Sequence, residues 1–205
     1  MHAGRAGVGE VGRMRLFVAC LLPSGLRQEL SGVRDALGGL QDRGIQGLKW
    51  VEMQNLHVTL KFLGEVGSVD ARRVHDALDS CGRKASPFAC RVAGIGAFPS
   101  ASSLRVLWAG IAEGAKEMVM LAATIEKALH PLGFPRERRG FEAHITLARA
   151  RDRVSMPSDD DLLPGLSVKT FGEFRVEQFS LMKSDLRPQG PVYSELSSYP
   201  LAGRP

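Results

Sequence analysis

Two tetrapeptides that lie far apart in the chain are almost identical, and each contains a histidine and a threonine. They are HVTL at residues 57–60 and HITL at residues 144–147, in a chain that has five histidines. If each is a β-strand, its side chains alternate between the two faces of a sheet, so His57 and Thr59 share one face. His144 and Thr146 share a face in the same way. The sequence therefore predicts two half-buried strands that each present an imidazole and a hydroxyl.

These residue types suit chemistry at phosphorus. Two imidazoles that face each other can act as acid and base together, because histidine titrates near neutral pH and is available in either form. In an in-line displacement, one group takes a proton from the attacking oxygen and the other gives a proton to the leaving oxygen. Each threonine hydroxyl could donate a hydrogen bond to a non-bridging phosphate oxygen, where negative charge grows in the transition state. The two motifs thus fit phosphodiester cleavage that needs no metal.

Alternating strands and helices are predicted to position the two H-x-T strands. In the first half the pattern predicts strands at 15–21, 48–51 and 56–63, a helix from Ser24 to Gly38–Gly39, and a helix capped by Ser68. In the second half it predicts strands at 88–97, 104–111 and 143–149, a helix at 115–130 that ends at Gly133, and two final strands at 172–183 and 192–200. The repeated strand-helix-strand order predicts two half-domains related by a pseudo-two-fold axis, with both H-x-T faces toward a common cleft.

Composition and cysteine content limit the class of protein. With 205 residues and 44% hydrophobic content, the chain can bury one sizeable core or form two small lobes that share one. No apolar stretch approaches the roughly 20 residues of a membrane-spanning helix. The three cysteines form no C-x-x-C pair, which argues against a disulfide framework and a thiolate zinc site. We expect reduced core thiols and a cytoplasmic setting. We further expect residues 1–13 to be a disordered extension and 14–205 to form a single bilobal domain.

The charge balance favours an anionic partner. The formal net charge is +5, and basic residues cluster at 72–74, 135–139 and 148–153. Any one of these clusters can be read as a solvated basic surface. Two of them bracket the second motif, however, and this placement points to a phosphate-bearing ligand near His144.

Several further residues are candidates for the site, each with a structural alternative. Under strict alternation Lys61 shares the face of His57 and binds substrate, although a solvated strand lysine is the alternative. Arg149 points away from His144 unless a bulge or strand end turns it toward the phosphate. Phe17 or Trp50 could stack on a base, or else pack in the core.

The remaining polar candidates have weaker support. We interpret His75 and His130 as helix residues outside the catalytic site. Arg187 is a candidate to approach the cleft. The two motif histidines lack a third metal ligand at a recognisable spacing, and the acidic run at 158–161 reads better as a solvated loop than as a set of metal ligands. We therefore predict no metal and no cofactor.

The phrases around the two motifs resemble the two-histidine phosphoesterases, and within them the RNA 2′,3′-cyclic phosphodiesterases, also called the 2′-5′ RNA ligase family. The similarity runs from about Met14 to Leu201. It rests on RLFVACLLP (15–23), WVEMQNLHVTLKFLGEV (50–66), GIGAFPS (94–100), RVLWAGI (105–111), LGFPRERRGFEAHITLARAR (132–151), FGEF (171–174), SDLRPQGPVY (184–193) and YPL (199–201). One departure is Ala143, which stands before His144 where the family usually has proline.

This resemblance implies an α+β fold with two pseudo-two-fold-related lobes, antiparallel sheets lining a central groove and helices packed outside. It implies metal-independent hydrolysis of an RNA terminal 2′,3′-cyclic phosphate to a 2′-phosphate, and family members are also named for reversible 2′-5′ ligation of RNA ends. We expect the protein to be a monomer. By the same resemblance His57 is the proton donor and His144 the proton acceptor, while Thr59 and Thr146 hold the phosphate. The alternative function is a nucleotide- or RNA-binding module that uses the groove without hydrolysis.

Overall fold

Nine β-strands and three α-helices are assigned in the computed structural model, which describes residues 12–37, 47–154, 166–188 and 190–203. The helices are α1 (Ser24–Ala36), α2 (Ser68–Lys84) and α3 (Ala115–Leu129). The strands are β1 (Met14–Leu21), β2 (Leu48–Trp50), β3 (His57–Val66), β4 (Phe88–Phe98), β5 (Leu104–Glu113), β6 (His144–Val154), β7 (Thr170–Val176), β8 (Gln178–Arg187) and β9 (Gly190–Pro200). Residues 1–11, most of the predicted extension, and Gly38–Gly39 lie outside the described part.

The helices form where apolar residues recur every three or four positions. In α2 the buried residues Val74, Leu78 and Cys81 form one stripe, as the sequence predicts. The start of α1 at Ser24 is confirmed. The predicted cap of α2 is wrong by one position, because Gly67 occupies the N-cap position and no side chain caps this helix. The predicted end of the third helix at Gly133 is confirmed. Gly133 follows a short 3-10 turn after α3 and has a φ of +94°.

The described strands form one antiparallel sheet in the order β7-β4-β5-β6-β3-β1-β8-β9, with β2 paired to β6. The two strands that carry the H-x-T motifs, β3 and β6, are central neighbours. Next to β3 lies β1 and next to β6 lies β5, and each of these precedes its motif strand with a helix between them. The α+β prediction is confirmed. In each half of the sheet the motif strand and its neighbour follow the same order along the chain. The division of the structure into two lobes stays a prediction.

The end of the chain differs from the sequence prediction. The stretch predicted as one strand at 172–183 is two strands, β7 and β8, separated by Glu177 alone. They lie in opposite halves of the sheet, because β7 pairs with β4 and β8 pairs with β1. The Glu177 carbonyl accepts a hydrogen bond from the Leu201 amide at 2.8 Å. A change of strand at one residue leaves no glycine or proline turn in the sequence, which explains the error.

The two faces of the sheet have different cores. One face packs against the helices in a large cluster that includes Leu16, Leu30, Leu78, Met118, Ile125 and Ile145. Each such buried side chain stabilises the fold by about 1.5–3 kcal/mol. The opposite face has a small cluster of Phe17, Ala19 and Met182, against which Tyr193 packs. We call these the core face and the groove face.

Two composition-based expectations meet the structure directly. Cys20, Cys81 and Cys90 are buried and free, as expected for thiols that serve as small core residues. Among the described residues, no helix combines the length and the apolar character needed to cross a bilayer.

Candidate active site

The two H-x-T motifs lie side by side on the groove face. Val58 and Ile145 are paired across β3 and β6, and both are 0% exposed on the core face. Alternation then turns the neighbours of each to the groove face, and the antiparallel register sets His57 opposite Thr146. The same register sets Thr59 opposite His144. The two imidazoles therefore lie diagonally across neighbouring strands that are about 4.8 Å apart. The predicted sharing of one face by both motifs is confirmed.

Each imidazole is held by a backbone carbonyl two residues earlier in the chain. His57 Nδ1 lies 2.7 Å from the carbonyl oxygen of Asn55. His144 Nδ1 lies 2.7 Å from the carbonyl oxygen of Glu142. A carbonyl only accepts hydrogen bonds, so each Nδ1 is the protonated donor and each Nε2 is the nitrogen left for proton transfer. In this state His57 Nε2 lies 3.0 Å from Thr59 Oγ1.

Two aromatic rings flank each imidazole. Ring centroids are separated by 5.0 Å for Phe17–His57, 5.5 Å for Tyr193–His57, 5.1 Å for Phe98–His144 and 6.4 Å for Trp108–His144. Tyr193, Phe98 and Trp108 were not predicted as site residues. The sequence contained an indication of all three, because each is the aromatic residue in a phrase that carried the resemblance. Placing them at the site required the strand order, since it decides which strands lie beside the motifs.

Phe17 and Trp50 take the packing role that was the alternative for both. Phe17 is 3% exposed and lies beneath His57 and Tyr193, so its ring face is not open to a base. Trp50 packs against the large cluster on the core face. Phe17 thus acts on the site by supporting His57.

The Trp108 side chain occupies space that a glycine leaves open. A Cβ atom at Gly96 would lie 2.2 Å from the indole ring of Trp108, closer than any real contact. Gly96 is Trp108's register partner in the β4–β5 pair. The glycine therefore allows the indole to lie flat over β4 and to reach the edge of His144.

The environment of His57 favours its neutral form. Burial lowers the pKa of His57 below its usual range, and the Asn55 carbonyl partly opposes this effect. The positive charges of Arg149 and His144 lower the pKa further. Both groups are therefore close enough to His57 to act on its charge.

A β-bulge in β3 removes Lys61 from the site. Thr59 lies opposite Ala19 and Lys61 lies opposite Val18, so Leu60 is an extra residue. Alternation shifts by one, and Lys61 turns to the core face, where it is 3% exposed. Its Nζ donates to Glu126 Oε1 at 3.3 Å and to the Pro135 carbonyl at 2.8 Å. The prediction that Lys61 shares the face of His57 is wrong, because it assumed an unbroken strand.

The equivalent bulge in β6 brings Arg149 to the groove face. Thr146 lies opposite Trp108 and Ala148 lies opposite Leu107, so Leu147 is the extra residue. Ala148 is then buried, and Arg149 is exposed on the groove face, the face that also carries His144. This is the bulge that the sequence required for Arg149 to approach the phosphate.

The other candidates lie outside this arrangement. His75 Nδ1 bonds the Tyr199 hydroxyl at 3.0 Å on the core face, and His130 follows the end of α3. Arg187 lies at the exposed end of the β8–β9 hairpin, opposite Gly190. The acidic run at 158–161 lies outside the described residues. Within the described ranges no three His, Cys, Asp or Glu side chains are grouped as metal ligands would be.

Comparisons with known proteins agree on one family. The model of the 2′-5′ RNA ligase superfamily matches residues 27–188. An RNA 2′,3′-cyclic phosphodiesterase of Archaeoglobus fulgidus is 37% identical over 183 residues, 89% of this chain and 98% of the relative. A crystal structure of a Thermus thermophilus protein is similar with a TM-score of 0.74 at 33% identity, covering 93% of this chain and 99% of that one. The structure of E. coli LigT complexed with 3′-AMP has a TM-score of 0.72 at 26% identity, covering 92% and 98%.

Proposed function

The chain belongs to the 2′-5′ RNA ligase superfamily, and on that premise we propose that it hydrolyses RNA terminal 2′,3′-cyclic phosphates to 2′-phosphates without a metal ion. The observation that carries the proposal is the diagonal placement of His57 and His144 on adjacent strands of one face. A phosphorus atom bound between the strands has one imidazole on each side. That is the arrangement an in-line displacement requires.

The proposed mechanism uses the Nε2 atom of each histidine. His144 Nε2 accepts the proton of a water molecule as its oxygen bonds to phosphorus, and His57 Nε2–H donates a proton to the departing 3′ oxygen. The bond from phosphorus to the 3′ oxygen breaks, which leaves a 2′-phosphate and a 3′ hydroxyl. This assignment of donor and acceptor follows the resemblance to the family. The hydrogen bond of each Nδ1 to a carbonyl holds each ring in the required tautomer.

The two threonines bind the phosphate in this proposal. Thr59 and Thr146 lie on either side of the line that joins His57 to His144, where the phosphate is bound. Both hydroxyls can therefore donate to non-bridging oxygens. Thr59 exchanges its contact with His57 Nε2 for one with the phosphate. His57 must be protonated to donate, and the bound phosphate anion supplies the charge that raises its lowered pKa.

The test uses adenosine 2′,3′-cyclic phosphate with the purified protein in excess EDTA. We expect turnover to persist, and we expect His57→Ala and His144→Ala each to lower kcat by about 100-fold or more. His130→Ala is the matched control, because His130 lies at the end of α3. Activity that is lost in EDTA but kept in both motif variants would contradict the mechanism.

A binding module is the rival function. The E. coli relative is known in a complex with 3′-AMP, which supports nucleotide binding by this fold as the rival function. All four motif residues are present here, which favours the enzyme. Single-turnover analysis separates the two, since a module retains the cyclic phosphate and an enzyme releases the 2′-phosphate. Ligation of RNA ends is the reverse direction and stays a prediction. Abundant water favours hydrolysis unless both RNA ends are held together.

We also propose that the protein is a cytoplasmic monomer. Three buried, free thiols are compatible with a reducing compartment. Light scattering coupled to gel filtration measures the mass in solution, and a value near twice 22.2 kDa would contradict the monomer.

A further inference from the structure

Two like charges, Lys49 and Arg149, lie directly opposite each other on β2 and β6. Their neighbours Trp50 and Ala148 pack on the core face, so both charged side chains point to the groove face. Like charges at directly opposed positions of an antiparallel pair destabilise a sheet. Neither residue is in an ion pair with another described residue. Folding alone therefore gives no reason to place these two cations together.

The pair borders the end of the groove at which His57 lies. The bulge after Thr146 puts Arg149 on the groove face, three residues along β6 and thus about 10 Å or less from the catalytic threonine. Lys49 Nζ is 3.8 Å from the position a Cβ would take at Gly190, at the start of β9. Burial raises the pKa of Tyr193, and the charges of Arg149 and Arg15 oppose that rise. Arg149 and Arg15 thus act on Tyr193, whose ring packs beside His57, and Lys49 lies at the start of the strand that carries Tyr193.

We propose that Lys49 and Arg149 form a second phosphate subsite, which binds the 5′ phosphate of the nucleotide that carries the cyclic phosphate. This inference rests on the proposed function. With His57 beside the departing 3′ oxygen, the ribose lies at the His57 end of the groove and its 5′ side points toward the two cations. An anion between them removes their repulsion. The preferred substrate class is then a strand end or a 5′-phosphorylated nucleotide, rather than a nucleoside 2′,3′-cyclic phosphate.

The experiment compares two substrates that differ by one phosphate group. They are adenosine 2′,3′-cyclic phosphate and the same compound with a 5′-phosphate, measured at low ionic strength. We expect the wild-type kcat/KM to be about tenfold or more higher for the 5′-phosphorylated compound, as one charge-assisted phosphate contact provides. Lys49→Met should reduce that ratio toward one. Lys49→Arg should retain most of it, and Lys116→Met on the exposed surface of α3 should leave it unchanged.

The outcomes separate the subsite from the proposed function. A wild-type ratio of one, with both compounds hydrolysed, overturns the subsite and leaves the function intact. Equal losses on both compounds in Lys49→Met also overturn it, because Lys49 would then act at the cyclic phosphate. Failure to hydrolyse either compound overturns the function and the subsite together.

A stability measurement tests the repulsion itself. If the two cations repel, Lys49→Met should have a Tm at low salt that equals or exceeds that of the wild type, and added inorganic phosphate should raise the Tm of the wild type more. A lower Tm for Lys49→Met in the absence of anions would show that Lys49 stabilises the fold, and would overturn the inference.

Discussion

The two motif strands, β3 and β6, are built alike and used differently. Each begins with a histidine whose Nδ1 bonds the carbonyl two residues earlier, and each bulges at the leucine that follows the threonine. After the bulge β3 carries Lys61 and β6 carries Ala148 on the core face. On the groove face the corresponding residues are Phe62 and Arg149. The shared backbone places both His–Thr pairs on the groove face, and the residues after the bulge make the two ends of that face unlike.

The difference assigns support to one strand and charge to the other. Lys61 fastens β3 to α3 through Glu126 and to the segment before His144 through Pro135. Glu126 also accepts a hydrogen bond from the Glu137 amide at 2.7 Å, so the segment is held at two points. Ala148 needs no such partner and lies opposite Trp50 and Leu107. The His57 strand thus helps to position the His144 strand, while Arg149 brings positive charge back to His57.

Replacing the threonines of the two motif strands should give the largest effect on activity. If both halves bind the same phosphate, Thr59→Val and Thr146→Val should each lower kcat by about 100-fold, as the loss of one preorganised donor does. Steady-state kinetics with adenosine 2′,3′-cyclic phosphate measures the loss. Thr170→Val, at the exposed start of β7, serves as the control. A loss confined to one of the two variants would show that only one half binds the phosphate.

Lys61→Met tests the support role and should cost stability. The Pro135 carbonyl and Glu126 both lose a donor, and we expect the free energy of unfolding to fall by about 2 kcal/mol. Glu126 is partly exposed, so water limits the cost. Urea denaturation measures the change, and Lys127→Met on α3 is the matched control. Because the segment before His144 loosens, kcat should fall as well, and Lys61→Arg should restore part of both. Wild-type stability in Lys61→Met would refute the support role.

The pH dependence of His57 gives a third, smaller effect. Burial lowers the pKa of His57 in the folded state, so below the ordinary value of about 6.5 the unfolded chain binds more protons. Stability from this group is present above about pH 6.5 and is lost as the pH falls toward the lower folded pKa, by at most about 1.4 kcal/mol per pH unit. NMR titration of the imidazole should give a pKa below 6.5.

The same titration sharpens the comparison when a ligand is added. Adenosine 2′-phosphate should raise the pKa of His57, because its anion favours the protonated ring. His57→Gln should remove the slope of stability against pH in this range, and His130→Gln should keep it. A pKa of His57 at or above 6.5 in the free protein would contradict the environment described for this side chain.

Much of the site was predictable because its signals are local. The alternation of HVTL and HITL was enough to place each histidine with its threonine, and the buried stripe of α2 was evident from its spacing. The division between β7 and β8 was not predictable, since Glu177 alone separates two strands that pair in opposite halves of the sheet. The flanking rings of Tyr193, Phe98 and Trp108 also depend on which strands become neighbours.

The sequence by itself determined that two strands each present an imidazole and a hydroxyl, because the two-residue period of a strand is a local property of the backbone. Only the tertiary structure decided that these strands are adjacent and that both bulge after the threonine. A bulge arises from the fit of one strand to its partner, so the sequence around Leu60 or Leu147 contains no pattern that predicts it. The bulges turn Lys61 away from the groove face and Arg149 toward it, so the positive charge on that face comes from β6 and not from β3.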